Sequence, residues 1–271
     1  MKLTFLRRRW FQVLAAGVII FVAAEQALER SHNLGLLPFV IILGAFLVPV
    51  TFVIYFYEYV RDRDISTPLL TTCFIVGGLT GVAAAGVVEY RTISGQAFAS
   101  LAAVGLIEES AKLIFPMVMF VFWKYRHEAD GLLFGVASVM GFAALETTGY
   151  ALVSFVRSHG DVGLLQQVLL FRGLVSPAGH AAWTGFVSAT LWRSRQGLGR
   201  GSIAAVVGAF AAAVALHTLW DATAGINSQT SLQLAAHSLA ASAIIAVGLS
   251  LIIWRLRQAR ALALGGKRST G

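Results

Sequence analysis

Charged side chains make up only 13% of the 271 residues, too few to cover the surface of a soluble domain of this size. A single cysteine, Cys73, excludes both an internal disulfide and a cysteine-rich metal site. With five prolines and no long run rich in Gly, Ser or Pro, the chain contains no linker that would divide it. It also lacks a Gly-x-Ser-x-Gly elbow and a His-Glu-x-x-His helix, so the serine hydrolases and zinc peptidases built on those motifs are excluded.

What is abundant is apolar: 57% of residues are hydrophobic and the mean hydropathy is +0.75. A helix needs about 20 largely apolar residues to cross a bilayer. Eight segments qualify, near 10–28, 34–57, 68–88, 97–123, 131–156, 176–192, 202–224 and 232–254. The expected fold class is all-α, a polytopic membrane helical bundle of about eight transmembrane helices around a polar intramembrane cavity, with 1–271 forming a single integral membrane domain.

The net charge of +8 does not point to nucleic acid, because the basic residues are sorted by topology. With the N-terminus inside, the inner segments hold sixteen of them, among them Arg7, Arg8, Arg9, Arg61, Arg63, Lys124, Arg126, Arg193, Arg195 and Arg255. The outer segments hold four, Arg30, Arg91, Arg157 and Arg172. This asymmetry places both termini in the cytoplasm and suits a bacterial inner membrane, with the lipid bilayer as the principal partner. The first span also has the basic start, apolar run and small residues at 22–24 of a cleavable signal peptide, and cleavage would leave the other spans oriented as before. Oligomeric state is not encoded in any of these patterns.

Between the spans, 58–64, 123–130 and 196–202 read as short inner connections. The segment from Leu164 to Arg172 is short and polar, and predicts a separate helix lying at the outer interface beside the cavity. Gly77 and Gly81, like Gly131 and Gly135, stand one helical turn apart and permit close helix approach. After Trp254 the chain is a basic tail suited to the inner membrane surface.

The residues able to do chemistry are few. Glu108, Glu109 and Lys112 interrupt the fourth span, and each charge at bilayer depth costs about 2.5–3.5 kcal/mol on insertion scales. Lys112 lies three and four residues from the two carboxylates, so one helix face carries all three charges. Glu146 follows in the fifth span, His180 in the sixth, and His217 with Asp221 four residues on in the seventh. At about 1.5 Å per residue, Glu108 and Glu109 come to lie roughly 15–18 Å below the outer end of their helix, Glu146 about 15 Å, His217 about 10 Å and His180 about 6 Å. Singly, such a group is as well explained by an interhelical hydrogen bond. Four helices bringing acid and imidazole to the outer half of one bilayer suit general acid/base work or metal ligation. Asp221 is placed to fix the tautomer of His217, and Phe142 with Glu146, and His180 with Thr184, repeat the four-residue spacing.

The ordered set Glu108-Glu109-x-x-Lys112, Phe142-x-x-x-Glu146, His180 and His217-x-x-x-Asp221 resembles the PrsW family of intramembrane proteases, distant relatives of the type II CAAX prenyl proteases and the bacterial CPBP proteins. The resemblance covers roughly 70–225. It implies a catalytic core at 68–225, two peripheral spans at 1–60, a last span at 226–254 and a basic cytoplasmic tail at 255–271. The implied activity is cleavage of a single-span membrane protein, such as an anti-sigma factor, near the outer side of the bilayer. Glu146 and Asp221 depart from the His and Asn of the CAAX enzymes, so prenylated substrates are not implied.

The implied catalytic residues are Glu108, Glu109, Glu146, His180 and His217, supported by Lys112 and Asp221. Glu108 is the candidate base and Glu109 the partner of Lys112. A zinc version would use Glu108, Glu146, His180 and His217 as ligands; analogy with the CAAX-type relatives favours glutamate chemistry without a metal. Two other functions share these residues: a proton-coupled transporter, against which the absence of an evident inverted repeat counts, and a non-catalytic protein that binds a partner's membrane helix.

Overall fold

The computed structural model describes residues 4–60, 65–92, 98–122, 125–195, 203–224 and 231–268, and among these there are eight long helices and no strand. They are α1 (Arg9–Ser31), α2 (Leu37–Tyr59), α3 (Thr67–Thr92), α4 (Phe98–Phe122), α5 (Glu128–Arg157), α6 (Val162–Arg195), α7 (Ile203–Ala224) and α8 (Ser231–Arg268). Parts of the three expected inner connections, at 61–64, 123–124 and 196–202, lie outside the described residues. Six of the helices, α1, α2, α3, α5, α7 and α8, are long and apolar enough to cross a membrane. The other two are α4 and α6; in α4 every 18-residue stretch contains Glu108, Glu109 and Lys112, so the charges themselves hide its span.

The architecture is an all-α bundle centred on α5, which packs most extensively on α6 and then on α3 and α2. Lipid tails are as apolar as leucine, so helices here associate through close packing and interhelical polar contacts more than through exclusion of water. The sequence of α5 supplies the packing. A side chain at Gly141 would collide with the carbonyl of Phe74 on α3, and one at Gly135 with Ser188 on α6. The helix begins on a capping box, in which Asp130 accepts from the His127 backbone N–H at 2.8 Å. Beyond its end at Arg157, His159 (φ 55°) and Gly160 (φ 92°) turn the chain into α6, where the Asp161 carboxylate accepts from the Leu164 N–H at 3.0 Å.

Two expectations are corrected. The segment from Leu164 to Arg172 is not a separate interfacial helix but the first turns of α6, which runs unbroken through Pro177 to Arg195. Its apolar face is taken up by protein: Leu165 and Leu169 are fully buried in a cluster with Phe21, Leu28, Val40 and Ile41 of α1 and α2. The basic tail, in turn, is helical as far as Arg268. Its first residues also do more than lie on a membrane surface. Arg255 is buried and donates to Thr190 Oγ1 at 3.1 Å, and it reaches the buried Glu128 at 3.5 Å, a carboxylate that Arg193 meets at 3.2 Å. This cluster ties α8 to α5 and α6 at one end of the bundle.

Candidate active site

At Gly105 of α4 a Cβ would come within 2.8 Å of the Thr218 hydroxyl, so α4 and α7 lie close enough for the side chains one turn further along to meet. Glu109 of α4 and His217 of α7 do so. Glu109 is 1% exposed and Lys112 likewise. Lys112 Nζ stands 2.9 Å from Glu109 Oε1 and 2.9 Å from Glu108 Oε2, the pairing that the i+3 and i+4 spacing predicts. Its ammonium also sits over the Phe142 ring, 4.5 Å from the centroid, which gives that aromatic a cation-binding place in the motif.

The same Glu109 Oε1 lies 2.9 Å from His217 Nδ1, while Glu109 Oε2 accepts from Thr184 Oγ1 of α6 at 2.9 Å. Asp221, the expected orienting group of His217, stands 3.5 Å from its Nε2, and a second, nearer carboxylate, Glu109, meets Nδ1. The reason is geometric: an i+4 partner on the same helix reaches only one edge of the imidazole, and α4 presents Glu109 to the opposite edge. A carboxylate on Nδ1 fixes the proton there and leaves Nε2 as the acceptor of the neutral ring. Nε2 faces Glu108 Oε2 at 3.5 Å.

The second half of the site joins α5 and α6. His180 Nε2 lies 3.1 Å from Glu146 Oε2, and the buried His180 Nδ1 has no protein partner among the described residues. The two halves meet through the imidazoles, whose centroids are 5.9 Å apart at 89°, with Trp183 stacked on His217 at 5.1 Å. All five expected catalytic residues and both supporting ones therefore fall in one continuous polar region.

One residue was missed. Arg172 Nη2 is 2.8 Å from Glu146 Oε2, and its guanidinium lies 3.8 Å from the centroid of Tyr150. Arg172, Ser176, His180 and Thr184 are spaced four apart and share one face of α6. Splitting α6 into two helices hides that register, which is the signal that would have found the arginine.

The expected zinc ligands, Glu108, Glu146, His180 and His217, do not fit a metal ion as they stand. Among the described residues no three His, Cys, Asp or Glu side chains form a group able to hold one. The four divide into Glu108 with His217 and Glu146 with His180, and each pair has a protein cation against its carboxylate, Lys112 in the first and Arg172 in the second. A divalent ion would have to displace those charges. What the arrangement can do is hold water between carboxylates and imidazoles and pass protons among them.

A family model described as PrsW family intramembrane metalloprotease matches residues 65–254, well over half of the chain. Neither the curated proteins nor the solved structures include a match.

Proposed function

The chain belongs to the PrsW family of intramembrane proteases, and from that premise we propose that it hydrolyses a peptide bond in a single-span membrane protein, such as an anti-sigma factor, near the outer face of a bacterial inner membrane. The protein is an integral membrane protease; the positive-inside pattern supports cytoplasmic termini and, with them, an outer position for the turn around Gly160 between α5 and α6.

The observation that carries the mechanism is the convergence of Glu109 on Lys112, His217 and Thr184, each at 2.9 Å. A carboxylate so fully occupied is a positioning group, which leaves Glu108 as the base. Glu108 takes a proton from a water as the water oxygen attacks the scissile carbonyl carbon. It passes that proton to His217 Nε2, 3.5 Å away. Nε2 then gives it to the amide nitrogen as the C–N bond breaks, and both residues return to their starting states with an acid and an amine as products. Glu146 steadies the water from the α5 side, and the buried His180 Nδ1, without a protein partner among the described residues, adds a further polar atom to that wall. No step calls for a metal ion.

The test compares membrane-protein fragments, by quantitative mass spectrometry, between cells carrying the wild-type protein and cells carrying Glu108→Gln. Fragments that end near the outer boundary of a transmembrane helix and vanish in the variant support the proposal. If the fragment patterns are identical while the variant is equally abundant, the proposal fails and proton-coupled flux becomes the property to assay.

A further inference from the structure

The faces that carry the catalytic groups continue beyond them. On α5 the series Phe142, Glu146, Tyr150 and Ser154 runs at four-residue spacing, and on α6 His180, Ser176, Arg172 and Val168 do the same in the opposite direction. Past Glu146 the two faces separate around a cavity of about 630 Å³ whose lining includes Tyr150, Ser154, Arg157, Gln167 and Arg172. Two of these are permanent cations, and the lining contains no carboxylate. Arg157 is exposed and has no ion pair among the described residues. Arg172 spends Nη2 on Glu146, and its Nε is buried without a hydrogen-bond partner. That Nε is closed off from the cavity; what Arg172 presents there is the fifth of its side chain that remains exposed, beside the exposed guanidinium of Arg157, so the lining is positive without a carboxylate of its own.

We infer that this cavity is a substrate subsite that binds an acidic side chain in the extended outer segment next to the scissile bond, through the exposed guanidinium of Arg157 with the charge of Arg172 beside it. The inference rests on the protease reading above, since it names what the substrate must carry. A peptide is favoured over a lipid phosphate because one wall of the cavity is Arg172 itself, in contact with Glu146, so its occupant lies in line with the water-holding groups. The hydroxyl of Ser154 and the amide of Gln167 add donors and acceptors of the kind an extended backbone uses.

Two measurements test it on the full-length protein in phosphatidylcholine nanodiscs. The first is independent of proteolysis. With Cys73 replaced by Ala, Ser154→Cys, or Gln167→Cys on the other wall, is reacted with a negatively charged (sulfonatoethyl) and a positively charged (trimethylammonium-ethyl) methanethiosulfonate. Relative to mercaptoethanol, the anionic reagent should be favoured about tenfold, and Arg157→Gln should remove most of that preference. An equal rate, or preference for the cation, overturns the inference. Protection of the thiol by phosphatidylglycerol would assign the cavity to a lipid phosphate and overturns it as well. The second measurement uses single-span reporters with an acidic, neutral or basic outer juxtamembrane stretch. The wild type should cut the acidic one about tenfold faster than the neutral one, and Arg157→Gln should level the three. Cutting without charge preference overturns the inference and leaves the protease reading intact; a preference for anions in the thiol reaction with no reporter cut overturns the proteolytic reading, and the substrate assignment falls with it.

Discussion

Glu109 Oε1 lies 2.9 Å from His217 Nδ1, joining residues 108 positions apart in the chain. Because Lys112 and Thr184 converge on the same carboxylate, the two adjacent glutamates of α4 have different work, and neutral isosteres separate them. Glu108→Gln keeps a carbonyl for Lys112 and removes the base. Its cleavage rate should fall by about 10²–10⁴-fold while thermal unfolding in detergent shifts by no more than about 1 kcal/mol. Glu109→Gln puts an amide, with an N–H2 of its own, where the Lys112 ammonium, the Thr184 hydroxyl and the His217 Nδ1–H all need an acceptor, and should cost about 3–5 kcal/mol. Equal losses of stability in the two variants would contradict this division.

His217→Asn keeps an N–H near the Nδ1 position for Glu109 and removes the second ring nitrogen. The expected result is a folded protein whose cleavage is lowered by about 10²–10⁴-fold, measured with a reporter cut by the wild type. Retained activity would show that Nε2 does not carry the proton.

Lys112→Leu leaves two buried carboxylates without their common cation. Removing one partner of a buried ion pair costs about 3–5 kcal/mol, so its abundance in membranes should drop. Adding Glu109→Leu removes one of the two stranded charges and should restore part of the loss, read from protein levels and unfolding in detergent.

Chelation gives a further check. Lys112 and Arg172 occupy the cationic positions beside the glutamates, so purified protein should cleave its reporter at an unchanged rate after treatment with 1,10-phenanthroline. Inhibition reversed by added zinc would mean that the ligand set rearranges around an ion during turnover.

The chemistry of α4 was legible because its three charges obey helical spacing within one element, and periodicity acts over just that range. The partners of Glu146 and Glu109 were less so. Which carboxylate faces which edge of His217 depends on how α4 and α7 cross, and the close approach that sets it is signalled only by Gly105 meeting Thr218. Arg172 was counted toward topology because the polar character of 164–172 suggested a boundary. The buried Leu165 and Leu169 show why none exists there: α1 and α2 cover a face that composition alone assigns to lipid headgroups. Polarity reports what a residue is, and in a bundle its neighbours decide whether that polarity ends a helix or lines a site.

The Lys112 arrangement also bears on how the protein is made. Chain order brings α4 out of the ribosome well before α7 supplies His217. Until α6 brings the Thr184 hydroxyl to Glu109 and α7 brings His217, both glutamates depend on their own helix, where each has the Lys112 ammonium one turn away. The segment that looks least suited to leave the translocation channel thus brings its counter-ion with it, and can wait in the lipid as a half-neutralised rod for the imidazole that completes the site.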